Sequence, residues 1–253
     1  MGKALLDVHD LAMHWPRTGV SVLRGASLSV GAGEFTVILG ANGCGKTTFL
    51  KCIVRLLTPT GGSIAVAGHE MASLSGIALQ RARLDIAMVS QHANLIKRRS
   101  VMANVITGAL GRYPDWRTSL GALPEAELSR AYHHLQTVGL ADLALQRAGT
   151  LSGGQAQRAA IARALAQQPK VLLADEPVAS LDPEAAEDIL RLLQRLAHDD
   201  QLAVLCVLHQ PALALRYADR VVGFREGAIA FDLPTGAVSG PMISSLYGTD
   251  VAA

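Results

Sequence analysis

Apolar residues along the chain follow two rhythms. Short runs such as "ALLDV" (4–8), "ASLSV" (26–30) and "EFTVIL" (34–39) are separated by turn formers, "RTG" and "GAG", and predict strands. "GGSIAVAG" (61–68) predicts another strand closed by glycines. After "LDIAMVS" (84–90) the spacing turns helical through "VMANVITGAL" and "PEAELSRAYHHLQTVGL", the second with Pro124 near its start and Gly139 near its end. "KVLLAD" (170–175) is then continuously apolar, as a central parallel strand is. Residues 183–198 place Ala186, Ile189, Leu190, Leu193 and Leu196 on one helical face. "LAVLCVL" (202–208) predicts a second buried strand, and 221–233 a hairpin turning at Glu226-Gly227. The pattern predicts an α/β fold in one unit, 1–253. A core lobe (1–91 and 169–253) carries a mostly parallel sheet with an antiparallel β edge, and a helical lobe spans about 92–168.

Composition narrows the function classes. Half of the 253 residues are apolar and 17% are charged, which is globular usage. The net charge is only +2, and "KRR" (97–99) is the longest basic tract, so a nucleic-acid partner is not expected. The start, "MGKALLDVHDL", lacks a signal-peptide core, and Leu6 stands where a myristoylation signal on Gly2 would need Ser or Thr. No run approaches the roughly 20 apolar residues that span a bilayer. Three cysteines (44, 52, 206) are too few and too badly spaced for a disulfide framework or a zinc site. A soluble, cytoplasmic protein is the expectation.

The chemistry concentrates in three short runs. "GANGCGKT" (40–47) matches the phosphate-loop pattern Gly-x-x-x-x-Gly-Lys-Thr. Gly40, Gly43 and Gly45 let the backbone of Ala41, Asn42 and Cys44 wrap phosphate oxygens with its N–H groups turned inward. Lys46 supplies charge to the β/γ-phosphates, Thr47 a hydroxyl for Mg²⁺, and the helix opening at Thr47 and Thr48 its partially positive end. The runs "FTVIL" before and "TTFLKCIVRLL" after give the strand–loop–helix context that the motif requires.

"LSGGQ" (151–155) offers a second set of anion donors, Ser152, Gly153, Gly154 and Gln155, at the head of an Ala-rich helix. A serine-capped helix start would have the same letters. Two phosphate-binding devices so distant in the chain suit one nucleotide held between two subunits. "VLLADEP" (171–177) ends an apolar strand on Asp175, a position suited to Mg²⁺, and Glu176, which can polarise an attacking water as general base.

With "SLD" (180–182) and "LHQ" (208–210) following in order, the chain resembles the ATP-binding subunits of ABC transporters over essentially its full length. The resemblance implies a P-loop NTPase fold of the ABC type with a helical signature subdomain. It implies ATP and Mg²⁺ as ligands, and a dimer whose two copies sandwich two ATP molecules between phosphate loop and signature run. Gln91 then corresponds to the glutamine that touches Mg²⁺ and the attacking water, His209 to the γ-phosphate sensor and Trp15 to the aromatic stacked on adenine. Asp182 corresponds to the inter-subunit aspartate, and also suits a helix N-cap before Pro183.

The segments 100–121, 174–183 and 208–236 are similar to ATPase subunits of phosphonate importers, a group that also serves phosphite and hypophosphite uptake. The implied partners are transmembrane permease subunits and, indirectly, a periplasmic or extracellular binding protein, with the ATPase on the cytoplasmic face of the inner membrane. An importer for another solute, or an exporter or cell-division complex, would carry the same motifs. A DNA-repair or translation ATPase is disfavoured because no long insertion or tandem domain is expected, and a small-molecule kinase because of "LSGGQ". Residues 91–121, with Tyr113 and Trp116, are the expected docking surface for the permease. Cys44 is the loop's chemically reactive letter.

Overall fold

A computed structural model describes residues 4–15, 19–113 and 123–247; Trp116 and Gly2 lie outside the described residues. Among the described residues, ten strands form two sheets. β1 (Ala4–His14), β2 (Ser21–Gly31), β4 (Gly61–Val66) and β5 (His69–Glu70) make an antiparallel sheet in the order β2-β1-β4-β5. β3 (Phe35–Leu39), β6 (Ile86–Val89), β7 (Val171–Asp175), β8 (Ala203–Val207), β9 (Arg220–Arg225) and β10 (Ala228–Pro234) make the larger one, ordered β10-β9-β3-β8-β7-β6. Every pair in it is parallel except the β9–β10 hairpin at its edge.

The runs read as continuously apolar are the strands buried on both faces. Successive side chains of a strand point to opposite faces, so β3 sends Phe35, Val37 and Leu39 into one apolar cluster and Ile38 into the other. β7 and β8 divide in the same way. Helix α1 (Lys46–Ile53) closes one face with Phe49, Leu50 and Ile53, together with Leu6, Val8 and Leu11 of the antiparallel sheet.

The other face carries α3 (Val101–Ile106), α4 (Glu125–Thr137), α5 (Gly153–Leu165) and α6 (Pro183–His198). α6 begins where its sequence dictates. Asp182 accepts from the Ala185 N–H at 2.9 Å as N-cap, Pro183 occupies the first turn, and the apolar stripe Ala186, Ile189, Leu190, Leu193 and Leu196 is buried. α2 (Gly76–Ala82), α7 (Pro211–Tyr217) and α8 (Gly240–Tyr247) are short, and their patterns are too brief to stand out in sequence.

Both early strands run further than their apolar cores, to 11 residues each, because the β1–β2 pairing resumes after an irregularity between Val8 and Leu11 and continues through polar Arg24 and Ser21. No helix among the described residues is long and apolar enough to cross a membrane.

Candidate nucleotide site

β3, β8, β7 and β6 are neighbours, and their carboxyl ends lie along one edge of the sheet. Four predicted groups therefore meet there: the loop 40–47 after β3, His209 after β8, Asp175 and Glu176 at the end of β7, and Gln91 two residues past β6. This is the crevice at which open α/β sheets bind ligands.

The loop is held by its own geometry. A Cβ on Gly40 would lie 2.2 Å from the Phe224 carbonyl oxygen, so only glycine allows the loop to run against β9. Gly43 and Gly45 have φ of 75° and 112°, in the left-handed half of backbone space where glycine pays no steric penalty. From behind, the Glu226-Gly227 turn of the β9–β10 hairpin supports it, the Gly227 N–H donating to the Cys44 carbonyl at 2.9 Å.

Lys46 is 5% exposed, and its Nζ donates to the carbonyls of Gly40 and Ala41, both at 2.8 Å. No carboxylate among the described residues pairs with it, and a buried cation answered only by neutral dipoles is poised for an anion. Cys44 Sγ lies 3.7 Å from the same ammonium and is half-buried, whereas Cys52 and Cys206 are fully buried.

The Thr47 hydroxyl donates to Asp175 Oδ1 at 3.1 Å, uniting two hard oxygens of the kind that Mg²⁺ takes. Burial, with a further contribution from the Glu176 charge, raises the Asp175 pKa. The site thus holds a desolvated carboxylate that the charges of Lys51 and Lys46 only partly offset, beside a lysine whose hydrogen bonds go to carbonyls. Glu176 sits at φ 52°, a conformation costing a non-glycine residue about 1–2 kcal/mol. Its Oε1 lies 2.5 Å from His209 Nε2, so the imidazole holds the carboxylate at the sheet edge. A cavity of about 1350 Å³ opens over this edge, lined among others by Ala41, Asn42, Cys44, His209 and Tyr247. Gln91 is exposed, and Thr48 is half-buried in the first turn of α1.

Two predicted elements lie elsewhere. Trp15 closes the β1–β2 connection, its N–H donating to the Val20 carbonyl at 2.9 Å, with its side chain exposed. Ser152 is the N-cap of α5 and, with Gln155, completes a reciprocal capping box. Gly153 and Gly154 let this helix end approach Leu181 and Ala185 of the same chain, where added Cβ atoms would fall 3.1 and 3.0 Å from side-chain carbons. Within one chain, "LSGGQ" is thus a serine-capped helix start.

Sequence reasoning missed a set of tethers. Arg163 donates to the carbonyls of Ala93 and Asn94, both at 2.8 Å, and Gln157 to that of Ser90 at 3.0 Å, so α5 grips the segment that follows Gln91. Asn104 holds the same segment from α3 by accepting from the Ile96 N–H and donating back to its carbonyl. A buried Gln or Asn in an Ala-rich helix is a signal for such a role, but its partner cannot be read from spacing. One expectation needs correction. Tyr113 is half-buried and its hydroxyl donates to Glu127 Oε1 at 2.8 Å, beside Arg112 and Arg130 on the same carboxylate. Glu127 is 2% exposed; burial alone would raise its pKa, but these three donors hold it below the ordinary value. The tyrosine is thus a member of an internal polar cluster in place of an outward-facing anchor.

Fold and site together define a P-loop nucleotide-binding protein. Residues 23–179 match the family described as ABC transporter, and the chain belongs to that family. It is 43% identical over 247 residues to the phosphonates import ATP-binding protein PhnC of Nitratidesulfovibrio vulgaris, covering 98% of this chain and 93% of that one. With the phosphite import ATP-binding protein PxtA of Stutzerimonas stutzeri it shares 46% identity over 244 residues, 96% and 87% of the two chains. Among solved structures it is similar to cbiO1 from Clostridium perfringens, part of the ABC transporter complex cbiONQ, with a TM-score of 0.81 at 29% identity over 92% of this chain and 89% of that one. The dimeric structure of MJ0796, a bacterial ABC transporter cassette, gives 0.79 at 30% identity over 91% and 98%. The chain is thus an ABC-type ATPase.

Proposed function

We propose that this chain is the ATP-hydrolysing subunit of a membrane importer for phosphonates or the related oxyanions phosphite and hypophosphite. The observation that carries the catalytic half is the meeting of an unpaired buried lysine, a desolvated aspartate and a histidine-held glutamate at one sheet edge. The import half rests on the names of the phosphonate and phosphite relatives, since this subunit does not itself touch the solute.

In this reading residues 40–48 hold the ATP phosphates, with Lys46 donating to the β/γ oxygens in place of its present carbonyl partners. Trp15 flanks the adenine. Thr47, Asp175 and Gln91 would hold Mg²⁺, which supplies charge to the phosphates. Glu176 accepts the proton of the attacking water, and His209 keeps its carboxylate in place. Ser152–Gln155 of a second copy close the site from the other side. ATP therefore bridges two subunits and hydrolysis releases them; the difference in contact between the two states drives the cycle. The dimer sits beneath permease subunits on the cytoplasmic face of the inner membrane, and a binding protein outside delivers the solute. The single unit 1–253, with lobes at 1–91 plus 169–253 and about 92–168, provides both half-sites.

The test is reconstitution with the neighbouring permease and binding protein. Phosphonate, phosphite or hypophosphite delivered by the binding protein should stimulate ATP hydrolysis, and no stimulation by any of them overturns the import reading. Independently, Glu176→Gln should bind ATP but hydrolyse it about 10²–10⁴-fold more slowly; hydrolysis at the parental rate refutes the assigned base.

A further inference from the structure

Among the described residues three buried side-chain polar atoms have no hydrogen-bond partner: Arg55 Nε, Arg112 Nε and Tyr247 Oη. The two arginines bond through their other nitrogens, Arg55 to the Ala72 carbonyl and Arg112 to Glu127 and the Ala166 carbonyl. Tyr247 has no second polar atom in its side chain, so it alone is left wholly unanswered. A buried hydroxyl without a partner is costly and asks for a reason.

Tyr247 ends α8, which the buried Leu246 anchors in the same apolar cluster as the helices of that face. α8 and residues Ala41, Asn42, Gly43 and Cys44 of the phosphate loop line one cavity. Burial raises the phenol pKa, the Gly40 backbone lowers it and Cys44 raises it again, which places the hydroxyl against the first residue of the loop. A second route joins helix and loop. Arg225 donates to the Ser245 carbonyl at 3.4 Å, and two residues on, the Gly227 N–H holds the Cys44 carbonyl at 2.9 Å.

The Gly40 carbonyl has its own donor in this structure, Lys46 Nζ at 2.8 Å, as has the Ala41 carbonyl. An ammonium drawn to a phosphate gives up such partners, because a charged acceptor is the stronger one. A buried Gly40 peptide would then lack a donor beside an O–H that lacks an acceptor.

We propose that Tyr247 is a positioning residue for ATP: as Lys46 turns to the phosphates, the Tyr247 hydroxyl takes over the Gly40 backbone, and α8 braces the loop in its occupied form. The proposal rests on the reading of residues 40–48 as the ATP site. One donor replaces another, so the lysine can leave without stranding a buried carbonyl.

Tyr247→Phe removes only the hydroxyl from the full chain. ATP affinity in the presence of Mg²⁺, measured by calorimetric titration, should fall about three- to tenfold, the scale of one neutral hydrogen bond. Thermal stability without nucleotide should not fall, since the hydroxyl has no partner there. Lys46→Ala supplies an independent measurement. It takes the donor from the Gly40 carbonyl with no nucleotide present, so in that background Tyr247→Phe should lower the melting temperature. Tyr132→Phe, exposed on α4, should change neither quantity. ATP affinity of Tyr247→Phe within twofold of the parent overturns the proposal, and so does an equal effect on stability in the two backgrounds. A parent chain that binds no ATP overturns the reading of the loop, and the proposal with it; the parent titration tells that failure from the others.

Discussion

Gly40→Ala adds one methyl group where the structure has no place for it. The new Cβ would lie 2.2 Å from the Phe224 carbonyl oxygen and 3.0 Å from Cys44 Sγ. The first of these is backbone of a central strand, held on one side by β3 and on the other by β10, so the sheet cannot yield cheaply. Restoring ordinary contact means moving the loop by roughly 1 Å, and overpacking of this kind costs about 1–3 kcal/mol of stability. The same shift displaces the Gly40 carbonyl that accepts from Lys46 and the N–H groups that follow it. A misplacement of about 1 Å in a positioned site costs on the order of 10²-fold, and that is the expected loss in ATP affinity. Gly236→Ala is the control, because nothing lies within 4 Å of its Cβ and its φ is ordinary. Calorimetric titration with ATP in the presence of Mg²⁺ measures the difference. If Gly40→Ala binds ATP within twofold of the parent, the loop does not depend on its contact with β9.

Three other perturbations test different parts of the structure. A small thiol reagent should label Cys44 alone among the three cysteines and block ATP binding, with ATP protecting; peptide mass mapping that finds Cys52 or Cys206 labelled first contradicts the burial pattern. Arg163→Met removes two charge-assisted hydrogen bonds to the Ala93 and Asn94 carbonyls, each worth about 1.5–3 kcal/mol. Part of this is recovered because burial already disfavours the guanidinium charge, lowering its pKa. The net loss should be near 2 kcal/mol, with hydrogen exchange over 90–96 clearly faster than in the parent; unchanged exchange there would show that the tether carries no load. His134 is held down to a pKa of about 4, chiefly by burial and then by the neighbouring His133. The unfolded chain binds more protons between the ordinary value near 6.5 and about 4, so folding stability falls as the pH drops through that window. His134→Gln should flatten this dependence in denaturant titrations at successive pH values, and an equally steep slope would assign it to another group.

How legible these features were depends on how local their causes are. The loop 40–47 needs only its own glycines, a lysine and a preceding strand, and it could be read from thirteen letters. α6 was equally open, because Asp182, Pro183 and a five-residue stripe specify start and face without help from elsewhere. Strand ends were harder. The pairing that carries β1 to His14 depends on the register with β2 and β4, which no run of apolar letters contains. Tyr113 read as an exposed aromatic because its partner, Glu127, sits on a helix 14 positions later and draws charge from Arg112 and Arg130.

The grip of α5 on residues 90–94 has a mechanical meaning. Those carbonyls and the helix end at Ser152 belong to one lever, fastened by Gln157 and Arg163, with the sheet-edge Gln91 at the near end and the signature run at the far end. A displacement of residues 90–94 therefore pulls on the same helix that Ser152 caps. In the dimer proposed above, two such levers would make the approach of each signature run to the opposite phosphate loop depend on what presses against the segment after Gln91.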